Sequence, residues 1–260
     1  MIRGLGYNPC PVDAVGTHSL RAVLGASAVV PPPTLDLGML VQPVKPGGPR
    51  CRNQGKRGTC VGFGTTQALA NCARQNGYPN FEIPSALAGY VQGRAIEGTM
   101  HDTQDGTSID AAVRGYQVGG YVSESTWPYV ESLANSGLKL GVGQKGLLSA
   151  GVKSHRIQES DLKAFKESCQ TVMASGKGLV GGWMIDDPFE LWTPDQGPWD
   201  GMKERTVGGH CMNILDYPKG LPRLVNSWED DVGDGGFWTF TWEALFAAIA
   251  VWAIDFVPVG

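Results

Sequence analysis

An α+β chain of two lobes is the architecture the sequence predicts, on three observations. Helix patterns with start and stop signals fill the first half. Short apolar runs of strand length fill the second. The 260 residues suffice for one large domain or two lobes sharing a cleft. Gly at 37 of 260 is about twice the usual ~7%, so turns and close backbone approaches are expected in place of long helices.

Residues 1–33 read as a leader that ends in Pro31-Pro32-Pro33 and suits extended polyproline structure. Inside it, Ala22 to Val30 is apolar but contains Gly25, and reads as packing or extended structure. A helix is expected from about Thr59, whose hydroxyl suits an N-cap, to Asn76-Gly77 ahead of Pro79. Gly62 and Gly64 each cost that helix about 1 kcal/mol, which makes sense if another backbone crowds it. Further helices are expected over Ser85–Glu97 and Thr107–Gln117, the second ending at Gly119-Gly120.

Residues 129–159 are Gly-rich and read as irregular. Ser160 reads as the cap of an amphipathic helix with Leu162, Phe165, Cys169 and Val172 on one face and Gly176 at its end. Strands follow over Gly178–Ile185, His210–Tyr217, Leu221–Trp228, Phe237–Trp242 and Val251–Val257. Asp186–Thr206 is a loop-rich insertion, and a short helix is expected near Trp242–Ile249. The chain therefore divides into an arm (1–33), a mainly helical lobe (34–150) and a β-rich lobe (151–260).

Composition narrows the function. A net charge of −4 and a pI near 5.6 argue against nucleic acid or an anionic membrane as the main partner. No apolar run reaches the ~18 residues of a membrane span, and the first residues show no signal-peptide core. Six cysteines without a CxxC pair do not make a secreted disulfide framework, and four scattered histidines make no zinc cluster. A cytoplasmic or particle-associated setting is the expectation.

The chemistry lies in three short contexts: Gln54 to Phe63 around Cys60, Gly208-Gly209-His210-Cys211, and Leu224-Val225-Asn226-Ser227-Trp228. A thiol attacks well only as thiolate. A helix N-terminus and a neighbouring imidazole are the two devices that lower its pKa. Cys60 sits at an expected helix start. His210 opens an apolar strand, and Asn226 is able to accept the imidazole N–H and fix its tautomer. Gln54 offers a side-chain N–H which, with the Cys60 backbone N–H, would form an oxyanion hole. Read singly, Cys60 is a buried small hydrophobe, His210 a hydrogen-bonded structural histidine and Gln54 a surface side chain.

In this order the motifs resemble the papain-like cysteine peptidases. His210 and Asn226 follow Cys60 by 150 and 166 positions, and Gln54 precedes it by six. The resemblance covers roughly residues 34–257 and implies a papain-like two-lobed fold. It places the nucleophile helix in the helical lobe, His and Asn in the β-rich lobe, and the active-site cleft between them. It further implies Cys60 as nucleophile, His210 as proton shuttle, Asn226 as its orienter and Gln54 as oxyanion donor. Gly106 would contact an extended peptide by its backbone, and Trp228 would line the site and shield the Asn–His bond. Asp105 to Ile109, Gly119 to Glu124 and Trp127-Pro128-Tyr129 look like the bacterial and phage branch. The chain departs from the family at Arg57, Val61, Glu229 and Val232, where a cysteine, an aromatic residue, a glycine and a tryptophan are usual.

The implied function is peptide-bond hydrolysis through a thioester acyl-enzyme, on a peptide or protein substrate, with no metal or organic cofactor. Transpeptidation and amide hydrolysis use the same constellation. The competing class is a catalytically weak or silent papain-like module, serving as a binding or structural component, for instance of a phage particle. The leader is expected to pack along the lobes, shielding the cleft or docking a partner, or else to be a peripheral arm that only covers apolar surface, with Cys10 able to approach Cys60. Two decoys are set aside. Gly141 to Gly146 matches a dinucleotide pattern without its strand, and Glu229-Asp230-Asp231 with Asp234 lacks the calcium-loop spacing.

Overall fold

In the computed structural model, which describes residues 5–9, 19–25, 29–100, 102–134 and 150–258, the leader holds a short helix, α1 (Leu20–Leu24). Ser19 Oγ caps it, and Val23 and Leu24 are buried in the main aromatic core. This part of the leader is structural. Cys10 and the Gly141–Gly146 pattern lie outside the described residues.

Helix α2 (Cys60–Gln75) is buried along almost its whole length. The crowding expected of Gly62 and Gly64 is real. A Cβ on Gly62 would stand 2.2 Å from the Ala86 carbonyl oxygen, and one on Gly64 would stand 3.0 Å from Cys211 Sγ. The helix is wedged between the next helix and the sheet, so its lost propensity is exchanged for close packing. Thr59 precedes it but does not cap it. Its hydroxyl meets Tyr129 Oη at 3.0 Å instead.

Helix α3 (Ala86–Glu97) has Ser85 as N-cap and Gly98, at φ 72°, as C-cap. Helix α4 (Ile109–Gly119) is capped by Ser108 and starts later than expected, because Thr107 is engaged in a backbone bridge with Tyr7 of the arm. Helix α5 (Leu162–Ala174) is capped by Asp161, whose carboxylate accepts from Ala164 N, rather than by Ser160.

The sheet comprises β1 (Ala150–Arg156), β2 (Gly178–Ile185), β3 (Gly208–Asp216), β4 (Arg223–Val225), β5 (Phe237–Thr239) and β6 (Ala250–Pro258). All its pairs are antiparallel, in the order β1-β6-β2-β3-β4-β5. Strand β1 lies in the stretch expected to be irregular. It is an edge strand with only Val152 as a large apolar residue, so its signal is weak. Strand β4 is shorter than expected, ending at Val225, so Asn226 lies just beyond it. Helix α7 (Trp242–Phe246) follows β5, and α6 (Asp187–Glu190) lies in the insertion.

That insertion is not loose. The fully buried Asp186 carboxylate accepts from the backbone N–H groups of Phe189, Lys203 and Glu204. Phe189, Trp192 and Trp199 enter the core beside Trp183, Trp228, Trp238 and Phe240. A second core joins α2 and α4 to β2, β3 and β6 and includes Tyr7. No helix among the described residues is long and apolar enough to cross a membrane.

Candidate active site

Cys60 is the first residue of α2 and is fully buried. Backbone N–H groups of Gly6, Cys211, Val61 and Cys60 itself face its sulfur and favour the thiolate. Burial outweighs them, and the thiol is pushed up to about 11. Cys211 follows His210 on β3, so the sulfur lies against the strand that carries the histidine. The sequence-expected helix-terminus effect is present but is overridden here by desolvation.

His210 is fully buried, with Nε2 2.7 Å from Asn226 Oδ1. That same oxygen accepts the Ser227 backbone N–H at 2.7 Å, which identifies it as the acceptor atom of the amide. Nε2 must therefore carry the proton, which leaves Nδ1 as the basic nitrogen. Trp228 stacks on the imidazole, with ring centroids 4.5 Å apart and planes at 22°. Phe189 meets the edges of both rings, and Trp238 packs behind. Trp228 is buried at 1% exposure, with its ring over the His210–Asn226 pair.

Gln54 is fully buried between the lobes. Its Oε1 accepts from Ser227 Oγ at 2.5 Å, and its Nε2 donates to the Arg57 carbonyl at 2.9 Å. Both ends of the amide are thus held, one by Ser227 and the other by the Arg57 carbonyl. Its backbone N–H reaches Ser227 O and its carbonyl accepts from Tyr129 Oη. Gly58 N and the Arg57 guanidinium both contact the Asp105 carboxylate. Sequence reasoning missed these supports. Ser227, Tyr129 and Asp105 lie inside or beside the motifs, but nothing in the motifs states what they hold.

The arm occupies the groove over this site. Tyr7 N donates to Gly209 O, Asn8 N to Thr107 O, and Thr107 N to Gly6 O, all within 3.0–3.1 Å. Gly6 is the residue over Cys60, where a Cβ would run into the Gly58 carbonyl. Gly106, at φ 111°, lies flat under the arm, since a Cβ there would stand 2.6 Å from Gly6 O. Gly182 and Gly209 supply the floor on the β side, where any Cβ would strike Tyr7. The Gly-Gly pairs of the sequence were the available signal.

The departures from the family pattern also find places. Arg57 pairs with Asp105 at 2.5 Å, Val61 is core, and Val232 packs against the aromatic cluster. Asp230 accepts the Arg50 and Cys51 N–H groups, a structural use for the acidic stretch. Glu229 adopts φ 70°, the only positive φ of a non-glycine among the described residues, a conformation that costs about 1–2 kcal/mol.

No family model matches the sequence, and no curated protein matches it. Solved structures do. Xylellain, a cysteine protease from Xylella fastidiosa, is 21% identical, with a TM-score of 0.68 over 99% of this chain and 97% of that one. Digestive procathepsin L2 proteinase from Tenebrio molitor larval midgut is 20% identical, with a TM-score of 0.64 over 100% of this chain and 79% of that one. The cysteine protease and lectin-like domains of Cwp84, a surface-layer-associated protein of Clostridium difficile, are 15% identical, with a TM-score of 0.67 over 100% and 57%. With α2 and α4 packed on its antiparallel sheet in one core, α5 and α7 in the other, and these likenesses along its length, the chain has the papain-like α+β two-lobed fold.

Proposed function

We propose that the chain is a cysteine peptidase held closed by its own N-terminal arm. The observation that carries this reading is the His210–Asn226 pair, capped by Trp228, with His210 on β3 beside Cys211, whose backbone N–H meets the Cys60 sulfur. In the open state His210 Nδ1 takes the Cys60 proton and the thiolate attacks a peptide carbonyl. The Gln54 amide and the Cys60 N–H hold the oxyanion. The imidazolium returns its proton to the leaving amine, and water then hydrolyses the thioester. Asn226 keeps Nε2 protonated throughout, and no step requires a cofactor.

Residues 5–9 supply the closed state. The groove receives Tyr7, and Gly6 presents an N–H to the sulfur in place of an electrophilic carbon. Four of the similar structures are proforms by description, among them the Tenebrio molitor procathepsin L2 and a ragweed pollen cysteine protease. A second reading, a silent module, is favoured by the enclosed and neutral Cys60 thiol. Assignment to a phage branch or a particle rests on the sequence resemblance alone, since the compared structures come from bacteria, an insect and a plant.

Turnover of a fluorogenic peptide, abolished in Cys60→Ser, tests the proposal. Labelling by iodoacetamide or an epoxide probe should be lost in Cys60→Ala and kept in Cys72→Ala. Absence of turnover in both the full chain and an arm-displaced Tyr7→Ala variant would leave the silent module standing.

A further inference from the structure

Glu229 holds a backbone conformation that glycine adopts freely and other L-residues adopt at a cost, so its side chain must be worth keeping. The carboxylate accepts a hydrogen bond from Asn53 Nδ2 at 3.0 Å. Asn53 Oδ1 in turn accepts the Gly55 N–H at 2.8 Å, closing a local turn at Gly55, φ 64°. The backbones of Asn53 and Trp228 are bridged, and Glu229 N donates to Arg52 O. Gln54 is thus flanked by a turn that Asn53 closes, and Asn53 is anchored by Glu229. The same short stretch, 226–229, holds His210 through Asn226, Gln54 through Ser227, and Asn53 through Glu229.

We propose that Glu229 is a positioning residue for Gln54: its carboxylate fixes Asn53, and Asn53 fixes the turn that presents the Gln54 amide to the oxyanion. The kinetic consequence rests on the peptidase reading above; the structural consequence does not. Glycine at this position would relieve the backbone and lose the brace, so relaxed geometry and activity part company here.

The experiment compares Glu229→Ala, Glu229→Gln, Glu229→Gly and Asn53→Ala in the full chain carrying Tyr7→Ala to open the groove. Glu229→Ala and Asn53→Ala should each lower kcat about tenfold with KM within about twofold, because misplacing an oxyanion donor acts on the transition state. Combining them should add little. Glu229→Gln keeps an acceptor oxygen and should restore kcat to within about twofold. Glu229→Gly should melt no lower than the parent and still lose kcat like Glu229→Ala. Full kcat in Glu229→Gly would overturn the proposal. Amide hydrogen exchange at Gly55 reads the brace without turnover: it should quicken about tenfold in Glu229→Ala and recover in Glu229→Gln. Unchanged exchange in Glu229→Ala overturns the brace as well. Absent turnover in the parent would defeat the peptidase reading, and exchange alone would then decide the brace.

Discussion

The two halves of the candidate site are built by different physics. The His210–Asn226 half is enclosed in rings: Trp228 stacks on the imidazole, Phe189 and Trp238 pack around it, and every member is buried. The Gln54–Cys60 half is a loop running into α2 and held mainly by polar contacts, among them Glu229 to Asn53, Tyr129 to Gln54, Glu131 to Lys56 and Asp105 to Gly58. Aromatic burial is non-directional and large, so the first half is fixed by stability. Polar contacts at partly exposed sites contribute little net energy but set direction, so the second half is fixed by geometry. The lesson is that substitutions in the first half should move stability and activity together, whereas those in the second should separate them.

The largest expected effect breaks the first half. Trp228→Ala removes a fully buried ring and should cost about 3–5 kcal/mol, a fall in Tm of roughly 10 °C for a chain of this size. Peptide turnover should fall with it, because water then reaches the His210–Asn226 bond. Thermal melts and kinetics on the same sample check the pairing. Lost turnover with an unchanged Tm would break the contrast between the halves.

The arm tests the second half. Tyr7→Ala should raise turnover several-fold, since the ring and its neighbours fill the groove that a substrate needs. It should also cost about 3 kcal/mol of stability, because Tyr7 is buried and belongs to the second core, so turnover is compared at a temperature where both proteins are folded. Removing residues 1–30 is a poorer test than the sequence suggests. Val23 and Leu24 belong to the aromatic core, so that deletion strips packing as well as cover. A Tyr7→Ala variant that is folded at that temperature and shows unchanged turnover would mean that the arm does not gate the site.

How much of this was legible in the sequence follows the range of the interactions. The order Gln54, Cys60, His210, Asn226 was readable because each residue stands in a short local context, and the fold class followed from local periodicity. The Gly62 and Gly64 anomaly was also readable, since glycines inside a helix demand a close neighbour. The N-cap of α5 was misplaced by one residue because Ser160 and Asp161 are both good caps and sequence does not rank them. Strand β1 was missed because its residues are mostly polar or small and only pairing with β6 makes them a strand. Thr59 loses its capping role to Tyr129, which is 70 residues away. The left-handed backbone at Glu229 and the seat of Tyr7 over Gly182 arise only when distant segments meet. The enclosed state of Cys60 belongs with these, since it depends on the arm.

The smallest expected effect concerns that enclosure and sharpens the comparison at the seam of the halves. In the folded chain the Cys60 thiol is raised from 9.0 to about 11, chiefly by burial. The folded state therefore holds this proton more tightly than the unfolded state does. Below pH 9 both states are protonated and stability is unaffected. As pH rises from 9 towards 11 the unfolded chain loses its proton first, so stability falls, by at most about 3 kcal/mol for this group. The other buried thiols, Cys51 pushed up to about 12, Cys72 to about 11, and Cys169 and Cys211 also raised by burial, add to the same alkaline loss. Cys60→Ser removes one titrating group, so its denaturation midpoint should drop less steeply between pH 9 and 10.5 than the parent's. Tyr7→Ala should flatten the same slope in part, because an opened groove rehydrates the sulfur and lowers its pKa, and it should speed alkylation at neutral pH. Equal slopes in the parent and Cys60→Ser would show that the thiol is already hydrated, and the arm would then not be what keeps it neutral.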